Sequence, residues 1–188
     1  MKNLIDEYDL LFLNEKKTSA KISCTGFEVY QHSVKQGHQG SVALLLKPKF
    51  AKFVKRIDKS YENVLVCELA LIQNTVFVGC FIPPSDSPYY DDAYGHLQSL
   101  VRNDKEKTFF IIGDLNSRVS TPSMHGDDNL SYVNFEDSGI VKRNGRGTMQ
   151  MWKDCNLIVI NNLQYGEKYF KSRLSFRKKA QFRALVPV

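Results

Sequence analysis

The stretch TFFIIGDLNSR, residues 108–118, decides the fold more than any other part of this sequence. Residues 109–112 are bulky and apolar, which is typical of a strand buried on both faces. Gly113 permits a tight turn, and Asp114 and Asn116 place two oxygen-bearing side chains directly after the strand. Because α/β proteins place their sites in the loops after central strands, the stretch predicts a buried strand with a candidate site at its carboxyl end.

The pair Asp114 and Asn116 admits two interpretations on spacing alone. A carboxylate at the end of a buried strand is unfavourable unless it is paired, hydrogen-bonded or bound to a metal, and hard oxygen ligands suit Mg²⁺ or Mn²⁺. Aspartate and asparagine after a strand are also common turn residues. A second apolar run, DLLFL at 9–13, ends in Asn14 and Glu15 in the same manner. A metal site and an ordinary turn therefore both stay open.

Length and composition indicate one compact domain rather than a membrane, fibrous or disulfide-rich protein. The chain has 188 residues, of which 43% are hydrophobic and 24% charged. No apolar run approaches the roughly 20 residues that span a bilayer, and the acidic first residues lack the apolar core of a signal peptide. The four cysteines form no CxxC pair, and Cys67 and Cys80 are expected to be buried thiols. We expect an intracellular protein, in nucleus or cytoplasm, that is not secreted and has no membrane partner.

The net charge of +6 is concentrated at the C-terminal end of the chain. Residues 139–188 hold eleven lysines and arginines against two acids, whereas residues 1–138 are slightly acidic. A basic face attracts nucleic acid through phosphate contacts. A solvated surface explains the same excess equally well, so charge alone does not decide between them.

The order of apolar runs predicts mixed sheets covered by helices. Strands are predicted at 9–13, 27–30, 41–46, 63–71, 75–82, 108–113 and 157–160. The spacing of 63–71 and 75–82 fits a hairpin. Helical periodicity marks 90–101 and 148–155, residues 1–8 fit the last turns of a helix, and a long polar loop is expected to run to about Gly147. Interspersed hairpins and helices favour an α/β or α+β sandwich over a purely parallel wound sheet.

Five segments in sequence order carry a more specific signal. They are DLLFLNE at 9–15, GSVALL at 40–45, FIPPS at 81–85, FIIGDLNSRV at 110–119, and NGRG at 144–147 together with LIVINN at 157–162. This series resembles the endonuclease/exonuclease/phosphatase family, and most of all the endonuclease domains of non-LTR retrotransposons. The resemblance treats residues 1–188 as a single partial domain, matched up to about Phe176 and divergent over 180–188. It implies an α/β fold, a DNase I-like four-layer α/β/β/α sandwich of two mixed sheets.

The resemblance also implies a chemistry, which is phosphodiester hydrolysis of DNA with Mg²⁺ or Mn²⁺. Carried over by position, Glu15 and Asp114 are metal ligands, and Asp114 also orients or deprotonates the attacking water. Asn116 would position Asp114 and hold a phosphate oxygen. The implied phosphate or DNA contacts are Arg118, Asn144 and Arg146. In a full-length element, a reverse-transcriptase region is an implied partner.

Several features of the family pattern are missing from this sequence. The family's first strand, which carries a metal-site asparagine, has no counterpart before Met1. The family tyrosine before Pro83 is Phe81, which suits a packing position. No Asp, Asn or His follows Asn162, where the family has a closing Asp and a Ser-Asp-His segment. We therefore expect a retroelement-derived copy that is truncated at both ends and has weak or no activity.

Two other functions stay open at this point. The basic C-terminal segment and the incomplete site favour a non-catalytic nucleic-acid-binding or interaction module. A small-molecule phosphoesterase of the same superfamily is the third candidate, which the PPS and GRG surroundings make less favourable than the retroelement branch. The sequence does not indicate a DNA sequence preference or an oligomeric state.

Overall fold

The computed structural model describes residues 8–14, 21–32, 40–117, 143–155, 157–159, 164–165, 168–169 and 185–187. Its strands are β1 Leu10–Leu13, β2 Glu28–Gln31, β3 Ala43–Leu46, β4 Val54–Tyr61, β5 Val64–Leu69, β6 Thr75–Phe81, β7 Thr108–Asp114, β8 Leu157–Val159, β9 Gln164–Tyr165, β10 Lys168–Tyr169 and β11 Leu185–Pro187. Its helices are α1 Pro48–Ala51, α2 Tyr90–Asn103 and α3 Arg143–Asp154.

Two sheets form the centre of the fold. The first is antiparallel, with strand order β1-β3-β2. The second has the order β4-β5-β6-β7, in which β6 and β7 run parallel and the other pairs antiparallel. Two short antiparallel pairs join β8 to β11 and β9 to β10, and β11 also lies close to β7. This mixture of directions confirms the predicted mixed sheets and the predicted hairpin of β5 and β6.

The four-stranded sheet is buried on both faces. On one face Val66, Val78 and Ile111 pack with residues of α2, α3 and β8. On the other face Leu65 and Phe81 pack with residues of the three-stranded sheet. Burial on both faces explains why β5 to β7 have nearly continuous apolar sequences. The layers described are thus helices, sheet and sheet, which are three of the four layers of the predicted α/β/β/α sandwich. The helix predicted for residues 1–8 lies almost entirely outside the described residues.

Phe12 of β1 and Gly79 of β6 bring the two sheets together. A Cβ atom at Gly79 would overlap the ring of Phe12, so the ring lies directly on the glycine backbone. Phe12 is almost completely buried in the cluster between the sheets. The absence of a side chain at Gly79 therefore sets how closely β1 can approach the second sheet.

Several elements differ from the sequence prediction: α1, β4, β9, β10 and β11 were not predicted, and α3 begins earlier than expected. Strand β4 was not predicted, because its sequence VKRIDKSY is rich in charge; it is an edge strand with several exposed residues, where charged side chains are usual. Helix α3 begins at Arg143, not at Thr148, so the predicted loop is too long by five residues. Gly147 explains the error, since the Tyr94 hydroxyl donates to its carbonyl oxygen and a Cβ there would crowd Tyr90. Close packing of α3 on α2 thus outweighs the low helix propensity of glycine.

Within the described ranges, the structure has no helix with the length and apolar character needed to cross a membrane.

Candidate functional site

Asp114 is the last residue of β7, and parallel pairing places it beside Phe81, the last residue of β6. Paired residues of neighbouring strands share a face, and Phe81 packs between the two sheets. Phe109 and Ile111 belong to the opposite face, against the helices. Asp114 therefore lies on the face that looks toward the three-stranded sheet, at the carboxyl edge of the central strands.

Gly113 allows β7 to stay close to β6 up to its end. A Cβ atom at this position would overlap the carbonyl oxygen of Cys80, so no other residue fits without a backbone shift. One residue later, the Asp114 carbonyl accepts a hydrogen bond of 2.8 Å from the Ile82 amide. Gly113 and the backbone of Asp114 thus fix the position of the Asp114 side chain relative to the end of β6.

Asn116 closes a tight turn around the carboxylate. Its backbone N–H donates to Asp114 Oδ1 at 2.8 Å, and its side-chain Nδ2 donates to the Ile82 carbonyl at 2.8 Å. Its φ of 46° lies in the left-handed region, which asparagine tolerates better than most residues. The turn interpretation that spacing left open is therefore observed. The same bonds fix one carboxylate oxygen, which is what a reactive carboxylate needs.

A chain of contacts brings the carboxyl end of β1 to the same edge. Ala43 pairs with Leu13, and the adjacent Val42 amide donates to the Glu62 carbonyl at 3.2 Å. The next residue, Asn63, donates through Nδ2 to the Phe81 carbonyl at 3.2 Å. Since Phe81 pairs with Asp114, the ends of β1 and β7 both lie at this edge of the sandwich. The structure also places β1 close to β7.

Asn14 presents a buried oxygen at this edge. By strand alternation it lies on the same side as Phe12, which packs between the sheets. Its Oδ1 atom is buried and has no hydrogen-bond partner among the described residues. Leaving such a group unsatisfied costs about 1–3 kcal/mol, so a donor or a cation is the expected neighbour. The sequence analysis identified this strand end, but of its two polar residues it predicted Glu15, and not Asn14, as a metal ligand.

The donor set at this edge fits a hard cation. A carboxylate at Asp114 and an amide oxygen at Asn14 are the ligand types that Mg²⁺ and Mn²⁺ prefer. Within the described ranges no three His, Cys, Asp or Glu residues group together, and Glu15, the second carboxylate of the predicted site, lies outside those ranges. The described residues thus supply one charged and one neutral oxygen donor.

The other predicted site residues are placed as follows. Arg118 lies outside the described residues. Asn144 and Arg146 are in α3 rather than in the expected loop, and Arg146 is exposed. Phe81 is buried, with its ring over Gly40, which confirms the packing interpretation of the missing tyrosine. Ser117 and Thr148, which sequence reasoning missed, join the site turn to α3 through a buried contact of 2.7 Å between their hydroxyl oxygens.

The environment of Cys80, on the strand next to Asp114, raises the pKa of its thiol. Burial raises the pKa of the Cys80 thiol far above its ordinary range, and the Asp114 carboxylate adds to that rise. Cys80 is therefore a neutral thiol in the folded protein. The prediction that Cys67 and Cys80 are buried is confirmed.

Comparison with known proteins supports the fold. No protein-family model and no curated protein matches this sequence. Among solved structures the chain is similar to the endonuclease domain of TRAS1, a telomere-specific non-LTR retrotransposon. The TM-score is 0.50 and the identity 12%, with 99% of this chain and 76% of that chain covered. At this identity the likeness concerns the fold, and the chain has the DNase I-like sandwich of that endonuclease domain, as the motif resemblance implied.

Proposed function

We propose that the chain is a Mg²⁺-dependent phosphodiesterase that cleaves DNA, with Asp114 at its reactive centre. The observation that carries the proposal is the Asp114–Asn116 turn, held at the carboxyl edge of β7 in the fold of an endonuclease domain. DNA is the proposed substrate, and a reverse-transcriptase region of the same element is the second proposed partner.

Each residue of the site has a role in this proposal. Asp114 orients or deprotonates the attacking water, because one of its oxygens is fixed by the Asn116 amide. Asn116 holds that geometry and contacts a phosphate oxygen. Asp114 and Glu15 would hold Mg²⁺ or Mn²⁺, with Asn14 Oδ1 as a neutral donor beside them. When bound, the metal neutralises charge that builds on the phosphate and the leaving oxygen.

The expected rate is low. Residues 163–188 contain no Asp, Asn or His, so this segment supplies neither of the side chains that the resemblance implies there. Removing members of a catalytic set lowers hydrolysis by orders of magnitude, because such groups act as a unit. We therefore expect a protein that consists of these 188 residues to nick DNA slowly rather than cleave it rapidly.

A supercoiled-plasmid nicking assay with Mg²⁺ tests the proposal. Wild-type protein should convert plasmid slowly to the open-circular form, and EDTA should stop the conversion. Asp114→Ala should nick at least about 100-fold more slowly, which is a common loss for a catalytic group. Asp86→Ala is the matched control, because Asp86 is an exposed aspartate in the turn before α2 and should nick like wild type. Equal nicking by the two variants would contradict the proposal.

A second candidate function is DNA binding without cleavage, and the basic segment 139–188 favours it. Binding through lysine and arginine releases counterions, so affinity should fall steeply with salt. Salt-dependent binding that persists in Asp114→Ala, together with no nicking by wild type, would support this function. Binding without a salt slope would exclude it.

A further inference from the structure

A buried hydroxyl pair connects the site turn to helix α3. Ser117 Oγ and Thr148 Oγ1 are 2.7 Å apart, and the two residues are 5% and 1% exposed. Ser117 Oγ also donates to the Leu115 carbonyl at 3.1 Å. Because a hydroxyl has a single proton, Thr148 is then the donor to Ser117. The bonds run from Thr148 to Ser117 to Leu115.

This series of bonds closes around Asn116. Leu115 and Ser117 are its two chain neighbours, and the bond between them spans the residue with the left-handed φ of 46°. The left-handed conformation is unfavourable for an L-residue and persists only where its surroundings fix it. Asn116 in turn directs its amide to Asp114 Oδ1 and its side chain to Ile82. The conformation at Asn116 therefore sets the orientation of the Asp114 carboxylate.

Helix α3 is a firm anchor for the pair. Gly147, the residue before Thr148, accepts a hydrogen bond from the Tyr94 hydroxyl of α2. Met151, one turn further along α3, is fully buried in the cluster that includes β7. Thr148 is thus fixed relative to the sheet by contacts of α3 other than its own bond to Ser117.

We propose that Thr148 is a positioning residue, which acts through Ser117 to hold Asn116 and, with it, the Asp114 carboxylate in one geometry. The effect of Thr148 on DNA cleavage rests on the proposed function. Its effect on the conformation of the turn does not depend on that function. The alternative is that the two hydroxyls only satisfy each other in the core, in which case their loss lowers global stability and nothing else.

The test uses Thr148→Val, which removes the hydroxyl at nearly constant volume, and Thr148→Ser, which retains it. Thr75→Val is the matched control, because Thr75 is also buried and its hydroxyl donates to the Gln73 carbonyl at the opposite end of β6. The readout is hydrogen exchange of the Asn116 amide, which donates to Asp114 Oδ1. The Asn116 amide should exchange at least tenfold faster in Thr148→Val than in Thr75→Val, when the two variants have similar global stability. Thr148→Ser should restore slow exchange of this amide.

Exchange that rises equally at every amide, or that Thr148→Ser does not restore, would overturn the positioning role. If Thr148→Val does not fold, Ser117→Ala breaks the same series of bonds and makes the same prediction. In the nicking assay, Thr148→Val should lower kcat with little change in KM, since binding groups stay in place. If Thr148→Val accelerates exchange at the Asn116 amide but wild-type protein does not nick DNA, the proposed function is refuted and the positioning role of Thr148 stands.

Discussion

The candidate site at the carboxyl edge of β7 depends on a few backbone positions that accept very few residues. Gly113 lies against the Cys80 carbonyl, and Asn116 adopts a left-handed conformation that hydrogen bonds to Ile82 and Asp114 hold in place. These constraints explain why a Gly-Asp-x-Asn sequence follows the buried strand. A side chain at the first position would displace the strand end that carries the carboxylate.

Gly113→Ala should destabilise the protein by about 3 kcal/mol or more, because the new methyl group meets backbone rather than a movable side chain. Gly95→Ala is the control, since a Cβ there meets nothing within 4 Å and alanine favours the helix interior of α2. It should stabilise the protein by about 0.5–1 kcal/mol. Urea unfolding measures both, and similar values for the two variants would contradict the geometry at Gly113.

Two buried thiols predict how stability depends on alkaline pH. Burial raises the pKa of Cys67 to about 12, with a contribution from the Glu68 charge, and the pKa of Cys80 is also raised strongly. Unfolded thiols ionise near pH 8.5. The contribution of the two thiols to the free energy of unfolding is therefore fully present below that pH. Above it, this free energy falls by about 1.4 kcal/mol per pH unit for each thiol, because the unfolded thiol ionises and the folded one does not.

Urea unfolding between pH 8 and 10 measures this decline. Cys80→Ala should lower stability at pH 7 but show a shallower decline above pH 9 than wild type. Cys24→Ala is the control, because Cys24 is partly exposed rather than buried. The free energy of unfolding of this variant should decline with pH in parallel with that of wild type. An unchanged slope in Cys80→Ala would show that the thiol ionises as readily in the folded protein as in the unfolded chain.

At the scale of elements, the contact of β1 with β6 sets the separation of the sheets at the site. Phe12 lies on Gly79, and Asn14 follows Phe12 on the same side of β1. The position of the Asn14 oxygen relative to Asp114 therefore depends on this contact. A change in either residue should move one strand end against the other.

Gly79→Ala and Phe12→Ala should each be strongly destabilising, the second by about 3–5 kcal/mol as for other buried phenylalanines. The double variant should be less destabilised than the sum, by about 1 kcal/mol or more, because the new methyl group occupies space vacated by the ring. Phe12→Ala combined with Gly95→Ala should be additive. An additive Gly79–Phe12 pair would contradict the contact.

The sequence predicted the elements whose patterns are strong. The apolar runs of β1, β3 and β5 to β7 and the helical spacing of α2 were sufficient, because burial on one or two faces is recorded directly in residue type. Strand β4 and the first turn of α3 were not predictable, since an edge strand tolerates charge and Gly147 of α3 is favoured by its packing on Tyr90 and Tyr94. Those causes lie in contacts between distant residues.

At the scale of the molecule, two sheets place the carboxyl ends of β1 and β7 at one edge. The sequence motifs predicted Asp114 and Asn116 there, because the Gly-Asp-x-Asn pattern combines a buried strand with a polar turn. The link from Ser117 to Thr148 was not predictable, since it joins residues 31 apart through two ordinary hydroxyls. The buried Asn14 oxygen, which has no hydrogen-bond partner in the part of the chain that the structure describes, was not predictable either, because its position depends on the register of the strands.

The most direct test of a metal centre at this edge is cleavage of the protein backbone by bound Fe²⁺ with ascorbate and peroxide, in which Fe²⁺ replaces Mg²⁺. Because radicals cut only near the metal, the fragments report where it binds. We predict cuts near residues 14 and 114 that disappear with excess Mg²⁺ and in Asp114→Asn, and that persist in Asp86→Asn. Cuts elsewhere in the chain, or cuts near these residues that Asp114→Asn does not alter, would contradict a metal centre at Asp114.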